Sequence, residues 1–268
     1  MARTIETLPA AFPEIRFRAF DGETELAIAE AAASAGSRPA RVTAVLSAIC
    51  AEVAGEPGGY AVIRRVCAAG REWLLQRAAL HLYGDGAGWF EASCPTCGAT
   101  FDLRVALDRV PRAEPGSGFP VAEVETSLGL RRFETPNGAH EEAFCAREGD
   151  PRRVFAALCG HAERAEAEAI RFDEADLERI DMALEAASPE IADGVDARCP
   201  ACGAETMVRI EPLDFAFPRL DDIFREVHRI AAAYRWREPD ILALPVHRRR
   251  AYAALIRGDA RAAAGRLM

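Results

Sequence analysis

A mainly helical α+β fold is predicted by three features of the sequence. Apolar residues recur at helical spacing over several stretches, as in Arg71 to Tyr83 and Asp222 to Tyr234. Short segments such as Thr100 to Val105 alternate strictly between apolar and polar residues, as strands do. Two copies of one cysteine turn, C-P-x-C-G, each sit between such alternating segments in distant parts of the chain. The expected architecture is therefore helices organised about a ribbon split between two β-hairpins.

The elements follow in order. Ile15 to Phe20 alternates apolar with charged residues and reads as a strand. Helices are expected from Glu23 to Ala33, with Leu26 and Ile28 inward, and from Pro39 to Val53, carrying Val42, Val45, Leu46 and Ile49. Tyr60 to Val66 is rich in β-formers and reads as a strand. Arg71 to Tyr83 is a helix closed by Gly84. Trp89 to Ala92 and Thr100 to Val105 form the hairpin around the first cysteine pair, and Pro111 to Pro120 resembles a linker.

A second hairpin is expected from Val121 to Glu125 and Leu130 to Phe133, then helices near Glu141 to Arg147, from Pro151 to Gly160 behind Asp150, and from Asp173 to Ser188. Glu163 to Glu190 holds ten acids against three arginines, the composition of a solvated face rather than a docking surface. Val195 to Arg198 and Glu205 to Ile210 repeat the hairpin around the second cysteine pair. Helices from Asp222 to Tyr234, Glu238 to Leu244 and Val246 to Ile256 complete the chain. Three parts follow, residues 1–110, 111–192 and 193–268. Trp73, Leu74, Phe101, Leu103, Val208, Ile210, Ile223, Val227 and Ile230 are expected to be buried.

Composition narrows the function. The 268 residues are 50% apolar and 28% charged, with a mean hydropathy of −0.06, which describes a globular protein. All 33 basic residues are arginine, and alanine is abundant, which reads as codon bias before any selection of guanidinium chemistry. The net charge of −9 is uneven: Arg219 to Met268 has eleven arginines against six acids, so the rest is strongly acidic. Such a body repels phosphate, and nucleic acid is not expected as its partner. No apolar run reaches the roughly 18 residues of a membrane span, and MARTIETLPAAFPEIRF is neither a leader nor a lipidation signal, so a cytoplasmic protein is expected.

Eight cysteines are too few for a secreted disulfide scaffold. In Cys94-Pro-Thr-Cys97-Gly98 and Cys199-Pro-Ala-Cys202-Gly203, the two-residue spacing lets one tight turn aim both thiolates at one ion. Together the turns supply the four soft ligands of a structural zinc ion. The 101 intervening residues cost on the order of 4 kcal/mol to close, against roughly 10 to 16 kcal/mol from structural zinc. One zinc on Cys94, Cys97, Cys199 and Cys202 is expected. Turns that have lost their metal are the alternative. A redox role fits less well, because neither pair opens a helix, where thiolate pKa values fall.

Cys50, Cys67, Cys145 and Cys159 lie among apolar neighbours and read as packing residues. Cys159-Gly-His161 offers two ligands with no others at hand. The chain carries no HExxH, Walker loop, GxSxG or GxGxxG, which favours a non-enzymatic protein without a small-molecule substrate. His247-Arg248-Arg249-Arg250 is the densest basic cluster and favours protein docking or a solvated role over reading DNA.

The stretch Glu226 to Tyr252 (EVHRIAAAYRWREPDILALPVHRRRAY) resembles the end of the baseplate hub assembly chaperone family of contractile-tailed bacteriophages and of phage-tail-like contractile injection systems. Gly70 to Gly84 (GREWLLQRAALHLYG), followed by the C-P-x-C-G hairpin, is similar to the same group. These pieces cover about a third of the chain. The sequence departs from the pattern at Arg235, where a histidine is often expected, and residues 111–192 match nothing in it. The resemblance implies a cytoplasmic assembly factor whose partner is a baseplate hub or spike protein. Ile223, Val227, Ile230, Tyr234, Trp236, Arg248 and Arg249 are then the expected partner-binding residues. A minor structural component of the baseplate, or a zinc-ribbon regulator that binds nucleic acid through the basic tail, are the competing readings.

Overall fold

The structure is a computed structural model that describes residues 5–84 and 88–265, with side chains to residue 258. It is an α+β protein in which small antiparallel sheets are set among helices. Strand β1 (Ile15–Phe17) leads into α1 (Gly22–Ala33) and α2 (Arg38–Ile49), which pack on each other. Asp21 caps α1 by accepting from the Thr24 N–H, and Ser37 caps α2 at Ala40. Then come β2 (Cys50–Val53), β3 (Glu56–Pro57), α3 (Tyr60–Arg65) and α4 (Ala68–Tyr83).

Two local expectations fail here. The helix expected over Pro39 to Val53 stops at Ile49, because Cys50 to Val53 pairs with β1 in the register Ile15 to Val53. Sheet pairing outcompetes another helical turn. Tyr60 to Val66 is a helical turn rather than a strand: the Ile63 N–H reaches the Gly59 carbonyl at 3.1 Å, while Val62 and Ile63 enter the core. β-Branched side chains report burial as much as backbone preference, and burial decided the outcome.

The first hairpin pairs β4 (Trp89–Ser93) with β5 (Thr100–Arg104). An insertion follows: β6 (Arg112–Ala113), β7 (Val121–Thr126), β8 (Gly129–Glu134), α5 (Gly138–Cys145), α6 (Pro151–Cys159), α7 (Ala165–Arg171), α8 (Glu174–Ala187) and β9 (Glu190–Ile191). The expected hairpin and the Asp173 cap are present, the latter as a reciprocal capping box with Asp176. Helix α7 has no counterpart in the sequence reading. Nor is Pro111 to Pro120 all linker. Arg112 and Ala113 pair with Ile191 and Glu190, so the insertion begins and ends at one two-stranded neck. The Arg112 guanidinium holds the neck against the rings of Phe12 and Trp73, at 4.9 and 5.7 Å.

The chain returns through β10 (Gly194–Arg198), β11 (Glu205–Arg209), α9 (Pro212–Phe215), α10 (Leu220–Tyr234), α11 (Glu238–Leu242) and α12 (Val246–Gly265), the last longer than expected. The main core joins α1 to α4 with Val105, Leu107, Ile210, Leu213 and Phe217, which binds the two ends of the chain together. The insertion has its own core about Phe133, Phe172, Leu177 and Ile180. A third cluster unites α1 with α10, α11 and α12. Leu74, Ile210, Ile223, Val227 and Ile230 are buried as expected. Phe101, Leu103 and Val208 are half-buried, since a two-stranded hairpin covers only one of its faces, and Trp73 is half-buried on α4, against the Phe12 ring and the Arg112 guanidinium. No helix among the described residues is long and apolar enough to cross a membrane.

Candidate metal centre

Each cysteine pair occupies the tip of a hairpin, and the two tips have one geometry. Cys94 N–H bonds to the Ala99 carbonyl and Gly98 N–H to the Cys94 carbonyl, both at 2.9 Å. Cys199, Ala204 and Gly203 repeat this at the same distances. Gly98 and Gly203 both have φ of +73°, the left-handed region that glycine occupies without strain. A local turn repeated this faithfully follows from five residues, which is why it was visible in the sequence.

The neck between β6 and β9 and the shared main core bring the tips face to face. All four sulfurs lie within 4.8 Å of one another. Cys94 to Cys202 and Cys97 to Cys199 are each 3.8 Å apart. A tetrahedral ion about 2.3 Å from each thiolate requires sulfur separations of about 3.8 Å, so two opposite edges of the tetrahedron already have their holo length. A disulfide, at about 2.05 Å, is far from formed. Four ligands close the coordination shell, the pattern of structural rather than catalytic sites.

The backbone prepares the site for anionic sulfur. The Cys97 amide directed at Cys94, helped by that of Thr96, brings the Cys94 thiol down to about 6 against its burial. The Ala99 amide also draws Cys97 down, but hydrogen bonding among Cys202, Cys199 and Cys94 outweighs it and pushes Cys97 up to about 12. Cys94 forms a thiolate readily while Cys97 resists, a charge conflict that a bound cation would relieve. Cys94 and Cys199 are buried, whereas Cys97 and Cys202 face solvent.

The other cysteines are not part of this centre. Cys50 and Cys67 are core thiols, pushed up to about 12 and 11 by burial. Cys159 meets the Nδ1 of His140 at 3.9 Å, both buried, rather than His161.

The expected partner-binding residues separate into two groups. Ile223, Val227 and Ile230 are 2%, 7% and 0% exposed and pack against Ala29, Ile241 and Ala253, so this helical face is internal. An apolar stripe is legible in sequence, but not whether its cover is the chain itself. Arg249 is also internal, paired with Glu25 and, through Nε, with Glu226 at 3.1 Å. Tyr234 and Trp236 are about two-fifths exposed, and Arg248 is exposed. The two rings join Tyr252 in a cluster with centroids 5.3 to 5.8 Å apart. Tyr252 was missed as a member because it comes from the next long helix, at no periodic spacing from Trp236.

Comparison of the chain with protein-family models, curated proteins and solved structures found no match.

Proposed function

We propose that this protein is a non-enzymatic assembly factor, stapled by one structural zinc ion, that acts in the cytoplasm on the baseplate hub or spike of a phage-tail-like contractile injection system. Zinc suits the four-thiolate set because it is borderline-soft, tetrahedral and redox-inert. It would be held by Cys94, Cys97, Cys199 and Cys202, and would supply cohesion between the two hairpins rather than reactivity.

The observation that carries the partner-binding reading lies within Glu226 to Tyr252, the stretch that resembles the baseplate chaperones. Its aliphatic residues serve the chain's own core, whereas Tyr234, Trp236 and Arg248 are open to solvent. Aromatic residues and arginine are the side chains that most often anchor protein interfaces.

Co-expression with the hub and spike proteins encoded beside it tests the reading. A complex that forms with one of them and weakens at least tenfold in Trp236→Ala, about 1.4 kcal/mol, is the expected result. Neighbouring reading frames without sheath, tube or spike proteins would overturn it. Mass spectrometry of purified particles distinguishes an assembly factor, absent from them, from a baseplate component present at fixed stoichiometry.

A further inference from the structure

We infer that the cleft between β4 and β11 is a docking site for an extended polypeptide segment of a partner protein, which enters as an added β-strand. The inference goes beyond the reading above and does not depend on the partner being a baseplate protein.

Backbone register is the first argument. In the first hairpin, Val105 N–H to Gly88 O and Cys94 N–H to Ala99 O, both 2.9 Å, fix which residues bond across the ladder. Pairing alternates in an antiparallel ladder, so the backbone groups of Trp89, Glu91 and Ser93 point away from β5. In the second hairpin, Ile210 N–H to Asp193 O at 2.7 Å and Cys199 N–H to Ala204 O at 2.9 Å leave Glu205, Met207 and Arg209 pointing away from β10. Among the described residues, β4 pairs only with β5 and β11 only with β10. Both outer edges are open.

The second argument is that these edges border one space. A cleft of about 510 Å³ is lined by the consecutive residues Phe90 to Ser93 and by Met207 to Arg209. A strand shows only alternate residues on a face, and consecutive residues along its edge. The cleft therefore meets both strands edge-on, where an inserted strand could bond on both sides.

The third argument is the lining. Phe90 stacks on Phe215 with centroids 4.6 Å apart, giving an apolar patch beneath the edges. Met207 is 73% exposed, a flexible apolar side chain free to adapt to its neighbour. Glu91, Glu211 and Asp214 share the polar lining with Arg209 and Arg219, and Glu211 is already paired with Arg38, so neither sign of charge dominates. The backbone pattern, not a net field, defines the occupant: an extended segment with apolar side chains at alternate positions. Pro95 lines the same cleft beside Cys94, so the cysteine centre holds the two edges in place.

The test uses the full metal-loaded chain and an array of nine-residue peptides, acetylated and amidated, alternating Val, Ile or Phe with Ser, Asp or Arg. Titration with the tightest peptide should slow amide exchange at Glu91, Ser93, Met207 and Arg209. N-methylation of its alternate amides should weaken binding about tenfold or more. Met207→Pro should do the same while retaining the metal, because proline is tolerated where an edge N–H faces outward. An array without a binder, binding indifferent to N-methylation, or protection confined to the Tyr234 cluster would each overturn the inference. So would protection of the same amides by self-association without peptide, which would make a second copy the occupant.

Discussion

Arg249 and Glu25 form an ion pair sealed within the chain, with side-chain exposures of 0% and 1%. Arg250 reaches the other oxygen of Glu25 at 2.9 Å, and Glu226 meets Arg249 at 3.1 Å, so one carboxylate in α1 anchors the final helix. A buried charge stripped of its partner is costly, whereas replacing both partners with apolar groups is often nearly neutral. Arg249→Met leaves Glu25 with Arg250 alone and should lose about 1 to 3 kcal/mol in urea unfolding, and Glu25→Leu combined with Arg249→Met should recover only part of that loss, because Arg250 and Glu226 then lack these partners.

A similar constraint joins Gly138 to Arg71. A Cβ on Gly138 would lie 1.5 Å from Nη1 of Arg71, whose side chain is 1% exposed and faces Glu141 at 3.4 Å. The glycine is required for space. Gly138→Ala should destabilise by about 1 to 3 kcal/mol, and a double-mutant cycle with Arg71→Ala should show strong coupling.

Metal removal should act on the two hairpins first. Chelation of the zinc-loaded protein is expected to expose amides of β4, β5, β10 and β11 to exchange, while the insertion core around Phe133 and Ile180 stays protected. Cys199→Ser should reduce bound zinc, measured by elemental analysis, from about one per chain to a small fraction.

Asp176 supplies a pH test. Burial raises its carboxyl, but bonds donated by the Ser127 hydroxyl and N–H, Arg179 and the Asp173 N–H outweigh burial and hold it below the usual range. A carboxyl depressed by folding stabilises the protein above its unfolded pKa, about 3.9, and loses that effect as pH falls toward the folded value. The stability gap between wild type and Asp176→Asn should be full at pH 7 and close below about pH 4.

Thiol labelling of the metal-loaded protein at neutral pH should mark Cys145, which is exposed, before any other cysteine. Cys50 and Cys67, buried and pushed up to about 12 and 11, should react only on unfolding.

The parts of the molecule that were readable in advance are those whose causes lie within a few residues. The two cysteine turns, their flanking strands, the Asp173 cap and the Gly84 terminus of α4 each follow from local geometry. Cys50 to Val53 continues the helical pattern of α2 in sequence but forms the central strand between β3 and the distant β1, some 35 residues earlier, a pairing that local periodicity does not record. The neck at Arg112 was hidden for the same reason, its partner Ile191 lying across the whole insertion. Arg249 looked like a surface charge because its carboxylate partner is in α1.

What the amino-acid order determined by itself was a pair of thiolate turns, the hairpins that carry them, and the apolar faces of the longer helices. Backbone turn geometry and side-chain periodicity are short-range effects. Only the tertiary structure decided that Cys94 meets Cys202, that the stripe of α10 is covered by its own chain, and that β4 and β11 open onto one cleft. Those outcomes depend on packing between segments far apart along the chain, where many weak contacts act together and no local pattern records which of them will meet.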